Sequence, residues 1–149
     1  MPDQHPTDLA RRWEPVVPFD RSFDASYGLE LLEHDAEAGE LRGRVAVRRD
    51  LLTEHGLLHG GVFASAAEAI ASTGTALAVM DGGNAAMGLS NDTTVMAHVS
   101  EGTIHARARV VSRGEDAWVW TVDARDDDDR PLAHSRVTVA VRPLRRRPA

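Results

Sequence analysis

The sequence predicts one α+β domain, with an antiparallel sheet of about five or six strands and one long helix. Apolar and polar residues alternate in six separate stretches, which indicates half-buried strands. The links between these stretches are mostly short and rich in turn residues, which favours antiparallel neighbours. Between the second and third stretches, apolar residues instead recur with the spacing of a helix.

Composition limits the possible chemistry. The chain has 149 residues, of which 42% are hydrophobic, and this is enough for one packed core. It has no cysteine, and all 17 basic residues are arginines, so thiol nucleophiles, disulfides, thiolate zinc sites and lysine Schiff bases are excluded. The net charge of -6 argues against a general affinity for nucleic acid or anionic membranes.

Three segments are expected along the chain: an N-terminal arm (1–24), a folded domain (25–142) and a frayed basic tail (143–149). The arm has no apolar signal core, so we expect a cytoplasmic protein. It contains three aromatic residues that we expect to pack on the main body: Trp13, Phe19 and Phe23.

The alternating stretches predict the strands in order. They lie at 27–31, 41–47, 87–99, 104–110, 118–124 and 137–141. Turn residues separate the last four, and charged residues such as arginine occupy the positions that face solvent. Trp118 and Trp120 share one face of their strand and are expected to fill the core.

The long helix is expected at residues 60–80. Phe63, Ile70 and Leu77 are seven apart and should face the sheet. Glu68 is the only charged residue in the helix, and a carboxylate at its middle argues against a membrane span. The residues expected around Glu68 are small or weakly polar: Gly61, Ala64, Ser65, Ala71, Ser72 and Thr75. Because an exposed helix face normally carries charge, we expect a second subunit to cover this one.

The strongest chemical signal is the run Leu57-Leu58-His59-Gly60-Gly61, with Glu68 seven residues beyond it. Glycines at a helix start leave backbone N–H groups uncovered at the positive end of the helix dipole, which suits a carbonyl oxygen that gains negative charge. A carboxylate in a low-charge groove suits a general base or a nucleophile. Eight residues separate Gly60 from Glu68, or roughly 12 Å of helix. Two helices paired across a two-fold axis would bring the groups together.

This segment, with Ala67-Glu68-Ala69, resembles the hotdog-fold acyl-CoA thioesterases of the hydroxybenzoyl-CoA and phenylacetate-pathway type. The resemblance spans about residues 25–142 and implies a sheet wrapped around the helix. It implies that Glu68 is the catalytic carboxylate and that the Gly60 amide polarises the thioester carbonyl. Four further residues receive roles from it: His59 orders the loop, Gly61 contacts substrate, and Ser72 and Thr53 help to hold a water.

The resemblance leaves some contacts open. At the position of Thr53 the family often has glutamine or asparagine, and a hydroxyl cannot supply the same amide donor. Arg113 and Arg142 are candidate partners for the phosphates of coenzyme A. His55 and His59 are four apart, but the zincin order is absent, so we expect no metal.

We therefore predict hydrolysis of an acyl-CoA thioester, with an aromatic acyl group favoured, by a homodimer that can pair into a tetramer. No metal or organic cofactor is expected, since coenzyme A is part of the substrate. Three alternatives stay open: a medium-chain acyl-CoA thioesterase, a protein that binds acyl-CoA or an acyl carrier without hydrolysis, and, less favoured, a hotdog hydratase or dehydratase.

Overall fold

The computed structural model describes residues 17–144 and contains one six-stranded sheet with two α-helices. The helices are α1 (Phe23–Ser26) and α2 (Gly60–Val79). The strands are β1 (Leu29–Asp35), β2 (Glu40–Ala46), β3 (Asn84–Val95), β4 (Thr103–Arg113), β5 (Ala117–Arg125) and β6 (Pro131–Pro143). Their order across the sheet is β1-β2-β4-β5-β6-β3, and every neighbouring pair is antiparallel. The predicted architecture is confirmed.

Helix α2 packs closely on one face of the sheet because two glycines leave room for it. A Cβ on Gly43 of β2 would lie 2.8 Å from Cδ1 of Ile70, and one on Gly74 would lie 2.7 Å from Cη2 of Trp120. Ile70 and Trp120 are both fully buried. The helix therefore sits at a depth that any larger side chain at these two positions would prevent.

One polar contact fixes the rotation of α2 on the sheet. The indole Nε1–H of Trp120 donates to Oγ1 of Thr75 at 2.9 Å, and the Thr75 hydroxyl donates to the carbonyl of Ala71 at 3.0 Å. Ala71 and Thr75 are both 0% exposed. The expectation that they lie on the Glu68 face was wrong, since they face the sheet. The low charge of α2 is thus explained partly by the chain's own core.

Strand β3 differs from its predicted limits of 87–99. It begins at Asn84 and ends at Val95, and its pairing with β6 is interrupted by a bulge between Gly88 and Ser90. Met87 and Leu89 are 56% and 58% exposed. The reason is that β3 is an outer strand of the sheet, so its middle has a neighbour on one side only.

The expectation that the N-terminal aromatics pack on the body was wrong for Phe19 and Phe23, which are 54% and 69% exposed. Tyr27 is the aromatic residue buried at this end, and Phe23 meets only its edge, with ring centroids 5.3 Å apart. Tyr27 follows α1 and precedes β1, so it does not belong to the predicted first strand. Trp13 and the tail residues 145–149 lie outside the described residues.

By length and composition alone, Gly60–Gly82 is apolar enough to cross a membrane, and 44% of its most apolar stretch is buried in the fold. The core helix of a globular domain meets the same test. Its packing against the sheet is the arrangement expected from the sequence.

The contact between Gly74 and Trp120 predicts the effect of Gly74→Ala. Alanine favours a helix interior by about 1 kcal/mol over glycine. We nevertheless expect a net loss of about 1 to 3 kcal/mol in the free energy of unfolding, because the buried ring cannot move away from a methyl group. Urea denaturation measures this change, and a variant as stable as the wild type would contradict the packing argument.

Candidate active site

A tight loop leads into helix α2. Leu52 and Leu58 form an isolated antiparallel bridge, and the Thr53 N–H donates to the Leu57 carbonyl at 2.7 Å. Gly56 has a φ of 78°, a left-handed conformation that glycine adopts without a steric penalty. The loop therefore reverses the chain over a few residues and places His59 directly before the first residue of α2.

The end of this loop is fixed to the body of the protein. The Leu58 N–H donates to the Val99 carbonyl at 2.8 Å, and the His59 N–H donates to the Leu51 carbonyl at 3.0 Å. The side chain of Leu58 is buried. These contacts hold the helix N-terminus in place before any substrate binds.

His59 is the N-cap of α2, and its Nδ1 accepts a hydrogen bond from the Gly61 N–H at 2.9 Å. The neutral ring therefore carries its proton on Nε2. The Gly61 amide is occupied, so Gly61 contributes backbone surface and not a donor. Among residues 17–144, no group accepts the N–H of Gly60. The Gly60 amide thus remains without an acceptor in this part of the chain, at the positive end of a 20-residue helix.

Glu68 lies two turns further along α2, and its side chain is exposed. Its helix face runs along the outer strand β3. Three approaches mark this path: a Cβ on Gly60 would lie 3.5 Å from Cγ2 of Val95, Asn91 donates to the Ala64 carbonyl, and the Glu68 side chain lies against Gly88. Since eight residues of helix rise by roughly 12 Å, the Gly60 amide and the Glu68 carboxylate of one chain lie far apart for a single carbonyl group.

A groove opens beside the helix start, with a volume of about 460 Å³. It lies between α1, the short turn Arg49–Leu51 and the first two turns of α2. Its walls combine apolar and polar side chains: Phe23, Tyr27, Leu51, Leu52 and Val62, with Ser26, Asp50, His59 and Ser65. The groove therefore combines apolar surface with a few polar groups beside the start of α2, as sites for small molecules do.

Tyr27 is the buried aromatic wall of this groove. Its hydroxyl donates to Oδ1 of Asp24 at 2.7 Å. Burial raises the pKa of Tyr27 far above its ordinary value, and the hydrogen bond to Asp24 and the charges of Asp24 and Glu68 raise it further. Tyr27 is therefore a neutral phenol across the working pH range, and the Glu68 charge reaches this groove.

Ser72 and Thr53, both predicted to help hold a water, occupy different surroundings. Ser72 is half-buried on α2, one turn beyond Glu68. Thr53 is half-buried in the loop before the helix, where its Oγ1 accepts the His55 N–H at 3.3 Å. Within one chain, Thr53 precedes the helix start and Ser72 lies beyond Glu68 along the helix, so they are separated along α2 as Gly60 and Glu68 are.

The two arginines predicted to contact phosphate lie away from Gly60 in the same chain. The Arg113 guanidinium stacks 5.3 Å from the Trp118 ring centre and donates to the Ala36 carbonyl. Arg142 donates to the Asp116 carbonyl at 2.8 Å and pairs across the sheet with Ala85. The start of α2 at Gly60 lies near Val95 of β3. Val95 and Ala85 are ten residues apart, or roughly 33 Å along the strand, so Arg142 lies far from Gly60.

Two features of the site were missed by sequence reasoning. Tyr27 was assigned to a strand, so its role in the groove was not foreseen. Gly88 was passed over, although a glycine inside a strand pattern is a signal for a close approach by another group. Within residues 17–144, no cluster of three His, Asp or Glu side chains could hold a metal ion.

Comparison with known proteins identifies the family. The model of the thioesterase superfamily matches residues 55–133. A protein of Mycobacterium tuberculosis, provisionally named an esterase, is 32% identical over 118 residues, which cover 77% of this chain and 82% of that protein. Its solved structure has a TM-score of 0.76 at 31% identity, and covers 85% of this chain and 98% of its own.

Two further proteins are similar over most of their length. The 1,4-dihydroxy-2-naphthoyl-CoA hydrolase of Listeria monocytogenes is 29% identical over 119 residues, covering 80% of this chain and 94% of that protein. A variant of a thioesterase from Pseudomonas aeruginosa has a solved structure with a TM-score of 0.79 at 26% identity, covering 89% and 99% of the two chains.

An antiparallel sheet around one long helix, with these structural neighbours, defines a hotdog-fold enzyme. The chain belongs to the thioesterase superfamily. It is a thioester hydrolase.

The cap of α2 generates a stability prediction. His59→Ala removes the acceptor for the Gly61 N–H and should lower the free energy of unfolding by about 1 kcal/mol. His59→Asn, which keeps a side-chain acceptor at the cap, should retain most of the stability. Urea denaturation of both variants is the measurement, and equal losses in the two would refute the capping role.

Proposed function

We propose that the chain hydrolyses an aromatic acyl-CoA thioester at a site formed by two copies of itself. Gly60 comes from one copy and Glu68 from the other. The observation that supports this most is the free Gly60 amide at the positive end of α2, with its own Glu68 roughly 12 Å further along the helix. A two-fold pairing of helices would supply a carboxylate where one chain has none.

In the proposed mechanism, the thioester carbonyl oxygen accepts a hydrogen bond from the Gly60 N–H. Negative charge that develops on this oxygen is stabilised by the amide and by the helix dipole. The partner's Glu68 then acts by one of two routes. It attacks the carbonyl carbon, expels the coenzyme A thiolate and leaves an anhydride for water to cleave, or it deprotonates a water that attacks directly.

Other residues have supporting roles in this proposal. The hydroxyls of Ser72 and Thr53 help to hold the attacking water, and Arg113 and Arg142 contact the phosphates of coenzyme A. His59 holds the loop so that the Gly60 amide keeps its direction. The proposed reaction uses no metal or organic cofactor, because the Gly60 amide and the helix dipole polarise the thioester carbonyl and the carboxylate supplies the base or nucleophile.

The surface around β3 supports the proposed homodimer, which can pair further into a tetramer. β3 is an outer strand with one free edge, it exposes Met87 and Leu89, and its Gly88 lies against Glu68 of α2. An outer strand with exposed apolar side chains is a favourable surface for a second copy. Pairing there would also cover the small residues that surround Glu68.

The groove supports the aromatic acyl group. Tyr27 and Phe23 present aromatic surface within it, and aromatic rings prefer offset or edge contacts with one another. The Listeria monocytogenes relative is named for a naphthoyl-CoA substrate, which is an aromatic thioester. A medium-chain aliphatic acyl group would use the same apolar surface with a lower affinity.

Gly60→Pro and Glu68→Ala test the mechanism separately. Proline is tolerated at the first position of a helix, and His59 already has the extended conformation that precedes proline (φ -64°, ψ 129°). Gly60→Pro therefore removes the amide donor alone, and Gly60→Ala, which has room for its Cβ, is the matched control. Thiol release from a panel of acyl-CoAs should fall about 100-fold or more in Gly60→Pro and in Glu68→Ala.

Mixing the two inactive variants tests the shared site. A mixed dimer contains one site with an intact Gly60 and an intact Glu68, and one site that lacks both. After equal mixing and exchange of subunits, about a quarter of the wild-type rate should return. No recovery despite proven exchange would show that each chain works alone, and tight binding of acyl-CoA without thiol release by the wild type would favour the binding-protein alternative.

Phe23→Ala tests the acyl groove without disturbing the core, since the ring is 69% exposed. Loss of one aromatic contact should raise the KM for an aromatic acyl-CoA about 5- to 10-fold and leave stability unchanged. Steady-state kinetics with aromatic and aliphatic acyl-CoAs provide the measurement. An equal rise for both substrates would count against aromatic recognition at this position.

A further inference from the structure

We infer that Gly88 of β3 positions the catalytic carboxylate, because its missing side chain leaves the space in which Glu68 lies. The inference rests on the proposed function, in which Glu68 is the nucleophile or general base. Gly88 itself touches no reacting atom. It is a positioning residue that acts through Glu68.

Glu68 approaches Gly88 so closely that no side chain would fit on the strand at this position. A Cβ on Gly88 would lie 2.7 Å from Oε1, 3.0 Å from Cδ and 3.2 Å from Cγ of Glu68. All three distances are shorter than an ordinary carbon contact of about 3.5 to 4.0 Å. The end of the Glu68 side chain therefore lies across the bare Cα of Gly88, and any side chain there would take its place.

The strand beneath Glu68 is held firmly, so the carboxylate is the group that would have to move. Gly88 pairs with Val139 of β6, which is fully buried. Three residues further on, the amide Nδ2 of Asn91 donates to the Ala64 carbonyl at 2.8 Å and ties β3 to α2 one turn before Glu68. The position of the strand and its spacing from the helix are therefore fixed next to the contact.

Glu68, by contrast, is exposed and has three rotatable side-chain bonds. A methyl group on Gly88 would turn it into another rotamer at little cost to the fold. Gly74 shows the opposite case, because its neighbour Trp120 is buried and has no other place to go. Substitutions at the two glycines should therefore differ in effect. A side chain at Gly88 would displace a reactive group, whereas a side chain at Gly74 would lower stability.

The local shape of β3 agrees with this role. The bulge in the β3–β6 pairing begins immediately after Gly88. Bulges occur often beside active sites, where they redirect the chain and its side chains. In this strand the bulge lets Gly88 remain under Glu68 while Met87 and Leu89 are both exposed.

Gly88→Ala is the direct test, with Gly82→Ala as the matched control. The Cβ of Gly82 would lie 3.5 Å from Nδ2 of Asn84, an ordinary contact at the other end of the helix. Because a misplacement of about 1 Å can cost about 100-fold in rate, Gly88→Ala should lose roughly that factor in kcat. Its KM and its urea midpoint should match those of the wild type, and Gly82→Ala should retain the wild-type rate.

A double variant separates positioning from a general structural role. If Gly88 acts through the carboxylate, Gly88→Ala should cause no further loss of rate in a chain that already has Glu68→Ala. A second, additive loss would overturn the inference. The inference would also be overturned if the kcat of Gly88→Ala stayed within threefold of the wild type. A shift of its urea midpoint away from that of the wild type would overturn it as well.

The outcomes also distinguish this inference from the proposed function. If the wild type releases no thiol from any acyl-CoA, or if Glu68→Ala is as fast as the wild type, the proposed function fails. If Glu68→Ala is inactive while Gly88→Ala is fully active, only the inference about Gly88 fails.

Discussion

The close seating of α2 on the sheet is the constraint on which the other features depend. Gly43 and Gly74 allow the helix backbone to approach, and the contact between Trp120 and Thr75 fixes its rotation. With the helix in this position, its N-terminus meets the end of β3 and its Glu68 lies against the middle of the same strand. The placement of the candidate site therefore depends on core packing, because the buried side of the helix fixes where Gly60 and the Glu68 backbone lie.

Much of this arrangement can be read from the sequence. The alternation of apolar and polar residues predicts all six strands, because each strand has one face on the core and one in solvent. The two glycines after His59 predict the helix start, since a cap and uncovered amides are what such a run produces. The low charge of α2 predicts that its surface must be covered. The motif that runs from Leu57 to Gly61, together with Glu68, is what resembles the hotdog thioesterases, and the family assignment is confirmed.

The remaining features depend on contacts between distant residues, which periodicity does not describe. Ala71 and Thr75 lie on the sheet side because an indole reaches the hydroxyl, and a helical wheel shows only their angle relative to Glu68. Phe19 and Phe23 are exposed while Tyr27 is buried, and aromatic composition alone does not show which of these rings reaches the core. The place of Gly88 under Glu68 depends on the packing of a strand against a helix; the glycine signals a close approach, but the sequence does not show which group makes it.

The interruptions in the two outer strands have a consequence for the behaviour of the protein at high concentration. β1 has an irregularity between Leu31 and His34, and β3 has one between Gly88 and Ser90, so neither edge offers a long, flat row of hydrogen-bonding groups. Such rows are the templates on which chains add without limit and form fibrils. The sheet can thus expose apolar side chains at one edge and still resist runaway aggregation, since each border is broken within a few residues.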